Sequence, residues 1–229
     1  MTKEAPRDVF RAACDALASR LEEAGFRYAR SKARATRHAS DFSHHVTFHS
    51  SRYNHAGHSV VLAISVAIHS DTLCAWRTLR QLPDASGTLL ASHLGNLDTP
   101  WGWRQWNLAD AKSRPVALAE SWEQISRVAL PLFARFTSAH GALQALLDPE
   151  NGSVAPVNAI EFAFACERPE LAQRYLVELL QVRPRVKELL AAERESRARV
   201  PEHARNASIA KQLAWCIQTY DLSLPTAAT

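Results

Sequence analysis

The chain has 229 residues, 47% hydrophobic and 22% charged, with a formal net charge of +4 and a pI near 9.0. That length and apolar content suffice for a sizeable core in one large domain or two small ones, and a charge of +4 is too modest to mark a nucleic-acid binder by itself. MTKEAPRDVF lacks the apolar run of a secretory signal, and no stretch approaches the roughly 20 apolar residues that span a bilayer, so a cytoplasmic protein is expected.

Apolar residues at helical spacing (Val9, Phe10, Ala13, Leu17, Leu21) predict a first helix over 6–24, with Gly25 as its stop. Strands are predicted at 26–31, 33–38, 42–50 and 59–68. In the third, Phe42, His44, Val46 and Phe48 share one face; in the fourth, Val60, Leu62, Ile64, Val66 and Ile68 do, opposite Val61, Ala63, Ser65 and Ala67. Their short connections imply an antiparallel meander. Asp71 is placed to cap a short helix carrying Leu73, Cys74, Trp76 and Leu79. A further hairpin, 88–94 with 101–108 around the turn 95–100, extends the sheet to five or six strands. Helices follow at 116–136, 140–147, 156–166, 168–181, 184–198 and 204–219, several opened by a proline. The loop 148–153 is the best boundary. The expected fold is therefore α+β: an antiparallel sheet packed by helices over residues 1–148, then an all-helical subdomain over 149–229.

Catalytic signatures are missing from the sequence. With seven glycines it has neither a Walker loop nor a Gly-x-Gly-x-x-Gly turn, and it lacks a Gly-x-Ser-x-Gly elbow, so no cofactor is expected. Cys14, Cys74, Cys166 and Cys216 are scattered and read as reduced, mostly buried thiols. Eight of ten histidines fall from His38 to His93, but their spacing does not suit a metal. His44 and His45 point to opposite strand faces, whereas a strand-borne site favours two imidazoles on one face about 7 Å apart. No metal ligand set is assigned.

Two features suggest binding instead. Arg27, Arg30, Lys32, Arg34 and Arg37 lie between residues 27 and 38 without an acidic residue, and an extended conformation would put Arg30, Lys32 and Arg34 on one face. That face suits an anionic surface, or equally an edge strand protected by its charge. The second feature is the tryptophan-rich run at 100–106. Trp101 and Trp103 would share a strand face, either as sheet-to-helix core or, beside Arg104, as an interface anchor.

Residues 15–136 resemble a widespread group of uncharacterised bacterial cytosolic domains, through Gly25-Phe26, Ser51-Arg52-Tyr53-Asn54, the strand Val60 to Ile68, Trp76-Arg77, Trp103 and Trp106. Some of that group are suspected immunity or accessory proteins of toxin systems, so the resemblance implies a protein that binds and neutralises a cognate toxin. It supplies no catalytic residue. The expected binding residues are Arg30, Lys32, Arg34, Arg37, Arg52, Tyr53, Trp101, Trp103 and Arg104. A nucleic-acid-associated protein using 27–38 is the first alternative, and a metal-dependent hydrolase using the histidine-rich hairpin the second.

Overall fold

The computed structural model describes residues 4–82, 84–99, 102–148, 154–195 and 208–224. Its first helix, α1 (Pro6–Glu23), opens on proline and buries Val9, Ala13, Cys14, Leu17, Ala18 and Leu21. It ends as the sequence anticipates. Gly25 takes φ +84°, and the amides of Gly25 and Phe26 return to the carbonyls of Glu22 and Leu21. These two hydrogen bonds satisfy carbonyls the helix leaves open, in a conformation only glycine adopts cheaply.

The strands are β1 (Arg27–Ala29), β2 (Arg34–Ala39), β3 (Phe42–Ser50), β4 (Val61–Ser70), β5 (Thr88–His93) and β6 (Gln105–Asn107). They form one sheet in the order β1-β2-β3-β4-β5, with β6 also on β4. The pairs β1–β2, β2–β3 and β4–β6 are antiparallel. The expected α+β fold is therefore present. The helix following β4, α2 (Asp71–Leu79), differs from expectation at its start: Ser70 is its cap, accepting from the Leu73 amide at 3.1 Å, and Asp71 is its first residue.

The expected hairpin between 88–94 and 101–108 does not form. His93 caps a short helix, α3 (Leu94–Asp98), and the chain returns so that β6 pairs with β4, Trp106 opposite Leu62. Burying Trp106 and Leu108 beside the apolar face of β4 decides this, at about 1.5–3 kcal/mol per large apolar side chain. The helix expected at 116–136 is likewise divided, into α4 (Arg114–Gln124), a π-helical turn (Ile125–Ala129) and α5 (Leu130–Ala134). Pro131 is the cause. It donates no amide and crowds the carbonyl of Arg127, so the preceding turn widens.

Helices α6 (Ala139–Leu146), α7 (Pro156–Ala165), α8 (Pro169–Val182), α9 (Pro184–Glu195) and α10 (Ile209–Tyr220) complete the described chain. None of the described helices is long and apolar enough to cross a membrane.

Two compact units emerge, and they do not follow chain order. One gathers the residues up to Ile68 with Ala91–Thr137, the other His69–Leu90 with the residues from Ser138 onward. The first unit's core joins the inward positions of β3 and β4 to Phe26, Phe133 and Phe136. Phe26 lies 5.8 Å from Phe133 and Phe42 6.2 Å from Phe136, ring to ring. In the second unit Trp76 packs 5.9 Å from Tyr220, which lies 4.9 Å from Phe164.

Candidate binding site

The extended cationic face expected over 27–38 does not exist. Because β1 and β2 pair antiparallel, with Ala29 opposite Arg34, the four residues between them must turn. Arg30, Ser31 and Lys32 form a 3₁₀ turn, and Ala33 closes it in the left-handed region at φ 45°. Arg30 is held at 2.7 Å by Asp15, while Lys32 is exposed on the turn. Arg37 faces inward. Its guanidinium lies over Phe26 at 4.8 Å, and donates to the Ala24 carbonyl at 3.2 Å and to His44 Nδ1 at 3.3 Å. Two cations of this segment sit outward on strands: Arg34 of β2, donating to Thr47 Oγ1 at 3.1 Å, and Arg27 of β1, exposed opposite Thr36.

Cross-strand side-chain bonds continue over this outward face. Thr36 meets His45 at 3.0 Å, Ser43 meets His38 at 3.0 Å, and His49 meets Ser65 at 2.6 Å. The strand histidines are thus engaged singly, and among the described residues no group of three His, Cys, Asp or Glu side chains comes together to hold a metal ion. None of the outward positions on β2, β3, β4 or β6 is acidic.

A groove of about 510 Å³ opens on this face. Its floor is Val61, Ala63 and Ser65 of β4, small side chains that leave a trough where larger ones would fill it. His49 and Ser50 from β3 flank the floor, with His93, Trp103 and Gln105. Trp103 is 66% exposed, yet its indole is stacked on the His93 ring at 4.0 Å with an interplanar angle of 19°. One aromatic face is covered and the other is free. His93 Nδ1 accepts from the Gly95 amide at 3.3 Å, which puts the neutral ring's proton on Nε2, a buried atom with no hydrogen-bond partner among the described residues. Burial holds His93 below its ordinary pKa, helped by the charge of His49, and holds His49 down too, helped by Arg34. Both rings are therefore neutral at pH 7, and the groove carries no net charge.

The approach of the chain to Trp103 depends on two glycines. A Cβ built on Gly95 would lie 1.8 Å from the Gly102 carbonyl oxygen, and one on Gly102 would lie 2.6 Å from that of Gly95. Backbone cannot yield as a side chain does. Gly95→Ala is expected to cost about 2 kcal/mol and to loosen the Trp103–His93 stack; thermal unfolding together with the Trp103 indole NMR resonance checks this, and an unchanged resonance contradicts it.

The other predicted residues are distributed unevenly. Arg52 and Tyr53 follow the groove-lining Ser51; Tyr53 is 66% exposed, and the Arg52 guanidinium covers its ring at 4.7 Å while bonding its hydroxyl. Arg104 turns away from Trp103: it lies 6.0 Å from Trp106. The Asp98 carboxyl is held below the ordinary range mainly by Arg127, with Arg104 adding a smaller pull. Trp101 lies outside the described residues. Trp106, from the same run, belongs to the core.

His49 and Ser65 have the separation of a base and a hydroxyl nucleophile. Catalysis needs more, since a third group must orient the base and donors must await an oxyanion. No carboxylate bonds His49 among the described residues, and Ser65 lies mid-strand, where backbone amides serve the sheet. Comparison with known protein families, curated proteins and solved structures finds no match to this chain.

Proposed function

We propose that this chain is a protein-binding protein that uses the outward face of its sheet around Trp103, and that it neutralises a toxic partner by covering that partner's working surface, as a bacterial cytoplasmic immunity protein does. The observation that carries the reading is the exposed Trp103 indole, pinned on His93 at the edge of a groove. A tryptophan fixed before binding loses little freedom on association, and such side chains dominate binding hot spots. Tyr53 and Arg52, beside the groove-lining Ser51, add further residue types favoured in interfaces.

Co-expression tests it. The partner captured with the chain is expected to stop growth when expressed alone and to be tolerated beside the wild-type chain, with Trp103→Ala weakening the complex at least about tenfold. A partner that is harmless alone overturns the neutralising role, and one tolerated equally beside Trp103→Ala overturns the surface.

One observation favours a second reading, a single-stranded nucleic-acid contact: the outward face lacks acidic side chains and presents Arg34 and Trp103. Stacking on an exposed indole suits any base, and the binding would weaken steeply with salt. It ranks second because Arg30 is paired with Asp15 and Arg37 is turned inward, leaving three of the segment's five cations, Arg27, Lys32 and Arg34, to follow a phosphate backbone.

A further inference from the structure

We infer that the groove receives a planar aromatic side chain carried on an acidic, extended segment of the protein partner, an inference that rests on the protein-binding reading and names the chemistry the partner must present. Three features define the occupant. The floor of Val61, Ala63 and Ser65 is shallow, narrow in side-chain bulk and largely apolar, while the free face of Trp103 offers a flat wall. A planar ring gains both contacts at once, in the offset or edge-on arrangements aromatic rings prefer.

The interior also has no charge with which to compensate a buried ion. A charged head group entering it would lose hydration without a partner, so the anchor is uncharged. His93 Nε2–H has no partner among the described residues, but it is buried and offers the occupant no exposed donor, so recognition falls to the ring face of Trp103 and the apolar floor.

The surroundings have the opposite character. Arg34 reaches Thr47 and lies close enough to His49 to lower its pKa, and Arg52 follows Ser51; among the described residues neither guanidinium has a carboxylate partner. No outward strand position supplies a competing carboxylate. Charge complementarity therefore places Asp or Glu on either side of the anchor ring. A nucleotide would share the ring and the negative charge, and its binding is measured against that of the peptides.

The probes are capped tripeptides, added to the full ¹⁵N-labelled chain while the Trp103 indole resonance is followed. Ac-Glu-Tyr-Glu-NH₂ is expected to bind with a Kd on the order of 1 mM. Ac-Glu-Ala-Glu-NH₂ and Ac-Lys-Tyr-Lys-NH₂ are each expected to bind at least about fivefold more weakly, a difference set by the ring in one case and by the charge in the other. Trp103→Ala, at an exposed position whose loss leaves the core intact, removes the response at the remaining groove resonances. No saturable shift, equal binding of the alanine peptide, or tighter binding of adenosine monophosphate overturns the inference. Failure of the peptides beside Trp103-dependent partner capture removes the aromatic anchor alone, whereas peptide binding beside Trp103-independent capture removes the protein-binding reading of the groove.

Discussion

Replacing Arg77 by Met is expected to lower the unfolding free energy by about 3–5 kcal/mol, the usual cost of stranding one member of a buried ion pair. Arg77 in α2 is fully buried. Its Nε and Nη2 donate to Glu161 Oε2 of α7 at 2.8 and 2.5 Å, and Nη2 also donates to Asn158 Oδ1 at 2.9 Å. Nη1 donates to the carbonyls of Ser86 and Thr88, and Asn158 Nδ2 to that of Leu89. Tyr220 of α10 closes the network, donating from its hydroxyl to Glu161 Oε1 at 2.9 Å. Burial raises the Glu161 carboxyl above the ordinary range while Arg77 pulls it down, and burial with the Glu161 charge raises the Tyr220 phenol, which stays a donor.

Three helices and the segment Ser86–Leu89 therefore meet in one network centred on the Arg77 guanidinium. Glu161→Leu is expected to cost as much as Arg77→Met, because each single change leaves a buried charge or donor unmatched. The double variant, which leaves neither, is expected to lose clearly less than the sum of the two. Urea unfolding of the four proteins checks this coupling. Additive losses would show that the two side chains act independently.

The second large effect depends on pH. His44 is fully buried on the inward face of β3, stacked on Phe133 at 4.8 Å, with Nε2–H donating to the Phe136 carbonyl at 2.9 Å. Its other nitrogen, Nδ1, accepts from Arg37, so a second proton would meet a guanidinium. Burial is the main cause that lowers its pKa from 6.5 to about 4; the charges of Arg37 and His38 add to it, and the bond to Phe136 opposes. The folded state thus resists a proton that the unfolded chain accepts below 6.5. Stability is complete above pH 6.5 and falls as the pH drops toward 4, by about 3 kcal/mol for a depression of this size. His49 and His93, also lowered, contribute in the same direction. His44→Gln keeps a donor for Phe136 and removes the titration, so its unfolding free energy should change less between pH 6.5 and 4. An identical slope in the variant would mean that His44 is not the main group responsible.

The parts of the molecule legible in sequence are those fixed by local periodicity. Phe42, His44, Val46 and Phe48 alternate with polar residues, and a pleated strand with one buried face follows directly. Gly25 ends α1 because the required left-handed turn is a local demand. Between Arg27 and Arg37, however, the run of cations conceals a turn, since nothing in the residue types says where an antiparallel partner begins. Pro131 was the available sign that 116–136 is not one regular helix. The Arg77–Glu161 pair joins residues 84 apart, beyond any periodic pattern.

The candidate site was half legible. Trp103 and Tyr53 are distinctive residues, but the sequence gives Trp103 and Trp106 equal standing, and their opposite fates follow from β6 starting only at Gln105. His49, Ser65 and His93 meet only when the strands are paired. Their one sequence trace is the run of small residues Val61, Ala63, Ser65 and Ala67 on the outward face of β4.

Parallel capture from source-cell lysate, with and without nuclease, tests most directly whether the groove is the binding surface. The baits are the wild-type chain, Trp103→Ala, and a variant with Arg27, Arg30 and Lys32 all replaced by Ala. If the groove binds a protein, one partner is retained by the wild type and by the triple variant in both lysates, and Trp103→Ala loses it. Retention by Trp103→Ala, or loss of the partner on nuclease treatment, would contradict that assignment.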